Sequence, residues 1–83
     1  MEYIKLIGGG FIEGVASDTK ARELDTHGLM AKIRPVDGDI RIVYGALSEA
    51  DGYMLKAGET FDFVGCMRFY GTAELEYLLF DKA

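Results

Sequence analysis

Cysteine occurs once, at Cys66, and tryptophan not at all. A single thiol cannot close a disulfide within the chain, so no covalent staple of that kind is expected. Histidine also occurs once, at His27. A structural zinc site draws three or four ligands from Cys, His and carboxylates, and this pair falls short of one. No metal site, cofactor or catalytic residue is therefore assigned. A Cys–His nucleophilic pair would need the two side chains to meet in space, which sequence alone leaves open. Cys66, between Gly65 and Met67, reads as a small core residue. His27 reads as a loop residue before the turn glycine Gly28.

Long apolar runs are missing too. No stretch reaches 18 apolar residues, which excludes a transmembrane helix from the expectation. Met1 to Lys5 lacks a basic segment followed by an apolar one, so no signal peptide is read there. Basic residues are few: nine Lys and Arg stand against fourteen Asp and Glu, a net charge of -5. That balance argues against nucleic acid or an anionic membrane as partner, since both need a cationic footprint. Helical periodicity is absent as well, with no i, i+3, i+4, i+7 apolar pattern held over three turns.

What is present is glycine and alternation. The 83 residues, 49% of them hydrophobic and 28% charged, have a globular balance that excludes wholesale disorder and allow one domain over 1–83. Eleven glycines punctuate short runs rich in Ile, Val, Tyr and Phe. The expectation is an all-β, single-domain sandwich or barrel of about seven short antiparallel strands. Tyr3 to Ile7 and Phe11 to Val15 flank Gly8-Gly9-Gly10, which reads as a flexible connection. The triple glycine lacks the G-x-G-x-x-G and G-x-x-x-x-G-K-[ST] spacings of phosphate loops. Ser17 to His27 reads as a surface loop, with room for one helical turn. Leu29 to Ala46 reads as a hairpin, with Asp37-Gly38 supplying the positive φ angles of a type I′ turn. In that register Ile33 faces Ile42, Ala31 faces Tyr44, and Arg34 lies opposite Arg41. Phe61 and Phe63 share a face, Met67 to Tyr70 forms another strand, and Ala73, Leu75, Tyr77 and Leu79 form the inward face of the last one.

The acidic turns Asp37-Gly38-Asp39 and Glu49-Ala50-Asp51-Gly52 fit no calcium loop and are ordinary turn chemistry. Lys32, Arg34 and Arg41, with Arg68 as an outlying fourth, stand out as cations gathered on an outward face. One reading pairs them with strand acids such as Asp39, Asp62, Glu74 or Glu76. The other makes them a patch for an acidic surface, including a second copy of the chain. Leu78 and Phe80 lie on the outer face of the last strand beside Glu74 and Glu76. A candidate interface follows: Leu78 and Phe80 at its centre, extended by Val43 or Met54, with Glu74 and Glu76 meeting Lys32, Arg34 or Arg41 of another copy. The competing expectation is that Ser17 to His27 covers that face.

Two stretches carry a resemblance. Gly52-Tyr53-Met54-Leu55-Lys56-Ala57-Gly58-Glu59-Thr60-Phe61-Asp62-Phe63 and Phe69-Tyr70-Gly71-Thr72-Ala73-Glu74-Leu75-Glu76-Tyr77-Leu78-Leu79-Phe80 each join a strand through a tight turn to an alternating strand. Together they resemble the C-terminal half of small β proteins among the structural genes of tailed phages and prophages, head-decoration and auxiliary virion proteins included. The resemblance implies a non-enzymatic structural protein acting as a homo-oligomer, with other virion proteins as partners, in the virion or the bacterial cytoplasm. The L-x-x-G-E step at Leu55 to Glu59 is also similar to cupins, whose clustered metal-binding histidines are missing here. An alternative function is a small binding module holding a carbohydrate or other small ligand on Tyr53 or Tyr70.

Overall fold

The computed structural model describes residues 2–17, 19–44, 48 and 52–82. Among these the fold is all-β and contains no helix. The strands are β1 (Tyr3–Ile12), β2 (Arg22–Pro35), β3 (Ile40–Tyr44), β4 (Tyr53–Leu55), β5 (Phe61–Tyr70) and β6 (Leu75–Lys82). They form one antiparallel sheet in the order β1-β6-β2-β5-β3-β4.

Two glycine positions expected to separate strands instead lie inside them. Gly8-Gly9-Gly10 sits within β1 and pairs with Leu79, Leu78 and Tyr77 of β6. A Cβ on Gly9 would stand 2.5 Å from the Tyr77 carbonyl oxygen, and one on Gly10 3.2 Å from the Tyr77 hydroxyl. Close approach to β6, rather than flexibility, is what glycine supplies there. Gly65 lies inside β5, which runs unbroken from Phe61 to Tyr70.

The hairpin expected over Leu29 to Ala46, of which 45 and 46 lie outside the described residues, does not form. β2 and β3 are not neighbours, because β5 lies between them. Ile33 faces Phe61 on one side and Tyr77 on the other, not Ile42, and Ala31 faces Phe63 and Leu79, not Tyr44. With both edges of its second half occupied, β2 has no edge left for β3. Gly38 does not adopt a positive φ, so Asp37-Gly38 is no type I′ turn. The link is a crossover held by its acids: Asp37 accepts from the Glu74 amide at 2.9 Å and Asp39 from the Ala57 amide at 3.2 Å. The like-charged pair disappears with the hairpin, since Arg34 faces Glu76 and Arg41 faces Tyr70 and Met54.

The stretch 17–27 is also mostly strand rather than loop. β2 begins at Arg22 and pairs Leu24 with Met67. Its first half has β5 on one edge only, so polar residues there stay in contact with water and hide the strand pattern. β2 and β5 bend together. Register shifts between Asp25 and Met30, His27 and Gly28 adopt φ of 50° and 88°, and Gly65 adopts 120°. Buried Thr26 secures the corner by accepting from the Gly65 amide at 2.8 Å.

Bending folds the two halves of the sheet over one core. Ala31, Ile33, Phe63 and Leu75 come from one side of the bend; Ile40, Ile42, Leu55, Met67 and Phe69 come from the other. Tyr77 and Leu79 pack against the cluster, in line with the inward face expected for the last strand. Each such side chain contributes roughly 1.5–3 kcal/mol on full burial. Arg22 fastens the open end. Its guanidinium donates to the carbonyls of Glu13 (2.7 Å), Ala73 (2.9 Å) and Gly71 (2.8 Å). Burial lowers its pKa from the ordinary arginine value.

Candidate functional site

The half of the sheet made by β1, β6, β2 and β5 has an outer face that the described residues leave uncovered. Register places its side chains in rows. Leu6, Phe80, Met30 and Val64 follow one another across the strands, and Gly9, Leu78, Lys32 and Asp62 form the next row. Phe11, Glu76 and Arg34 form a third, with Thr60 just before β5 at its end. The face is apolar: Phe11 is 62% exposed, Leu6 56% and Leu78 42%. Phe80 and Met30 are half-buried. Scattered exposed apolar residues are ordinary, whereas these lie together on one sheet face.

Charges on this face are matched within the chain. Lys32 Nζ stands 3.0 Å from an oxygen of Asp62, and the Arg34 guanidinium donates to the Glu76 carboxylate. Between them lies a groove of about 270 Å³ lined by Gly10, Phe11, Lys32, Arg34, Thr60, Glu76, Tyr77 and Leu78. It has an apolar wall at Phe11 and Leu78, and ion pairs at its other side. No family model, curated protein or solved structure matches this chain.

The structure brings together Lys32, Arg34, Glu76 and Leu78 of the expected interface, with Phe80 one step further along β6. Glu74 lies in the turn before β6, where its backbone is engaged by Val36 and Asp37. Arg41 sits on β3, two positions away from β2 in the sheet. Neither belongs to this face. Val43 is buried and Met54 is on β4 at the far end of the sheet, so neither extends the patch. The described residues of 17–27 do not cover Leu78, which stays exposed. Lys32 and Arg34 pair with the strand acids Asp62 and Glu76 of their own chain, as one of the two readings had it for these two cations.

Sequence reasoning missed Phe11, Leu6 and Thr60. Shifts of register between Tyr3 and Lys5, and between Leu6 and Gly8, break the period of two in β1. Counting alternate positions through them assigns faces wrongly.

The other candidates separate. Tyr53 shares a row with Ile42 and Phe69, whereas Tyr70 shares one with Arg41 and Met54, so the two tyrosines lie on opposite faces of the sheet. Tyr53 packs near Phe61, with ring centroids 6.1 Å apart. Cys66 is half-buried opposite Asp25, not a core residue. Partial burial and the carboxylates of Glu23 and Asp25 push its thiol above the ordinary value. His27 is in β2 at the bend and is largely exposed, its ring 3.8 Å from Asp25. Among the described residues no group of three or more His, Cys, Asp or Glu is placed to hold a metal ion.

Proposed function

We propose that the protein is a non-enzymatic structural or interaction protein that self-associates through its β surface. The observation that carries this reading is the apolar outer face of β1, β6, β2 and β5, which the described residues leave uncovered, with Leu78 and Phe80 on β6. A domain of this size buries only about 60–65% of its unfolded surface, so association adds support that a small core lacks. The face rather than the sheet edge is the contact. The register shifts in β1 kink that edge, and natural sheets use such irregularities to discourage edge pairing.

The setting proposed is a phage or prophage particle, on the resemblance of 52–63 and 69–80 to small virion proteins. Capsid, portal or tail genes beside this gene support that setting, and metabolic neighbours oppose it. Light scattering tests association directly. The wild type is expected to be oligomeric, and Leu78→Asp/Phe80→Asp to be folded and smaller. A wild type that stays monomeric at high micromolar concentration ends the reading.

A second reading, a module for a small ligand, draws on the groove of about 270 Å³, just under the roughly 300–1,000 Å³ usual for ligand sites. A thermal-shift screen with a clear hit that Leu78→Asp abolishes would favour it.

A further inference from the structure

We propose that the groove on the outer face binds a single neutral sugar ring, stacked on Phe11 and hydrogen-bonded by the ion pairs opposite. This rests on the small-ligand reading above, not on association, and names the class of ligand. Size sets the first limit. At about 270 Å³ the groove falls below the range usual for drug-sized ligands. A cavity of roughly 150 Å³ accommodates benzene, so one six-membered ring with its hydroxyls has room and a second does not. The site is not the one expected at Tyr53 or Tyr70, neither of which lines the groove.

Charge and polarity narrow the class. Lys32 and Arg34 balance Asp62 and Glu76, so the polar side of the groove carries no net charge. A charged ligand meets as much repulsion there as attraction. A wholly apolar ligand strips water from the ion pairs and returns no hydrogen bond, which is costly. What fits is a neutral ligand with donors and acceptors on one side and C–H groups on the other. The pairs keep the capacity to serve it. Arg34 turns Nε and Nη2 onto Oε1 of Glu76, which among the described residues leaves Nη1 to donate and Oε2 to accept. Lys32 Nζ stands 3.0 and 3.2 Å from the two oxygens of Asp62 and keeps a third proton. Thr60 adds a hydroxyl that donates or accepts. Neighbouring sugar hydroxyls each donate and accept, and this mixture suits them. Phe11 and Leu78 form the apolar wall. Phe11 is 62% exposed, and the negative face of its ring attracts the weakly positive C–H groups of a pyranose.

An NMR titration tests the assignment. Amide resonances of the nitrogen-labelled chain are followed with D-glucose, D-galactose, D-mannose and N-acetyl-D-glucosamine, and with the charged sugars D-glucuronate and D-glucosamine. At least one neutral sugar is expected to shift Gly10, Phe11, Thr60 and Leu78, with an affinity in the millimolar range. It is expected to bind roughly tenfold more tightly than either charged sugar. Phe11→Ala is expected to weaken that sugar roughly tenfold or more. Glu76→Gln removes the counter-charge from Arg34, so it is expected to weaken the neutral sugar and to strengthen D-glucuronate. Unchanged resonances away from the groove show that each variant is folded. A charged sugar that binds the wild type as tightly as the neutral ones overturns the assignment, as do shifts confined to Tyr53 or Tyr70. So does a Glu76→Gln variant whose preference between the two classes is that of the wild type. No shift with any of the sugars overturns the sugar class. A thermal-shift hit from an apolar compound, abolished by Leu78→Asp, then leaves the small-ligand reading standing, and the lack of any hit removes both.

Discussion

Arg34 and Glu76 face each other across β2 and β6, and the guanidinium donates to the carboxylate at the rim of the groove. The pair is partly exposed, with side chains 53% and 30% accessible. Water screens it, so its contribution to stability is below about 1 kcal/mol. Glu76→Gln is expected to lower stability by no more than that in urea unfolding. The difference from wild type should shrink further in 1 M salt, where the screening length falls to about 3 Å. A loss of several kcal/mol would mean that the pair is closed off from solvent.

Arg22 behaves differently because three carbonyls depend on it. Arg22→Ala leaves the Glu13, Gly71 and Ala73 oxygens without that donor and is expected to cost about 2–3 kcal/mol. Arg22→Lys should recover only part, since an ammonium cannot reproduce the planar fork. Equal stability of the arginine and lysine forms in chemical denaturation would refute the forked arrangement.

Gly65 and Gly38 provide a paired test of the bend. Gly65 has φ of 120°, and a Cβ there would lie 2.8 Å from the Tyr44 hydroxyl, which donates to the Val64 carbonyl. Gly65→Ala is expected to cost more than about 1 kcal/mol. Gly38→Ala meets only the Ala73 methyl at 3.3 Å, on a backbone that does not need glycine, and should cost clearly less. The reverse order would restore the tight turn that the fold lacks.

Cys66 should alkylate slowly. Its thiol is held above the ordinary range by partial burial and by Glu23 and Asp25, so less thiolate is present at a given pH. The pH of half-maximal reaction with iodoacetamide is expected to be higher for the folded chain than for the same chain in urea. Glu23→Gln should lower the folded value. Identical profiles in the two states would show that the carboxylates do not act on the sulfur.

Alternation made some of the fold legible and left the rest dark. Ala73, Leu75, Tyr77 and Leu79 face inward, and Leu78 faces outward, because period two is a local property of one strand. Neighbour choice is not local. Asp37-Gly38 has the composition of a hairpin turn, yet β5 and β6 occupy both edges of β2 at Ile33. Nothing near residue 37 announces competition from residues 61 and 77. Gly65 had the appearance of a strand break because glycine marks both turns and bends, and the two differ only once partners are in place. In the candidate site, Leu78, Phe80, Lys32, Arg34 and Glu76 could be picked out as outward groups. Phe11 could not, since the register shifts in β1 arise from its fit to β6.

β1 and β6 are each other's partners, with Tyr3 opposite Lys82 and Ile12 opposite Leu75. On a ribosome β1 is made before β6, and it must wait until everything from 13 to 74 has followed before its neighbour is complete. At roughly 5–20 residues per second that is several seconds with Ile4, Leu6, Ile7 and Phe11 unclaimed. Because β6 also lies along β2, its arrival closes two ladders in one event. The last strand is thus the keystone of assembly, and a nascent chain stalled before Leu75 presents both waiting strands to whatever is nearby.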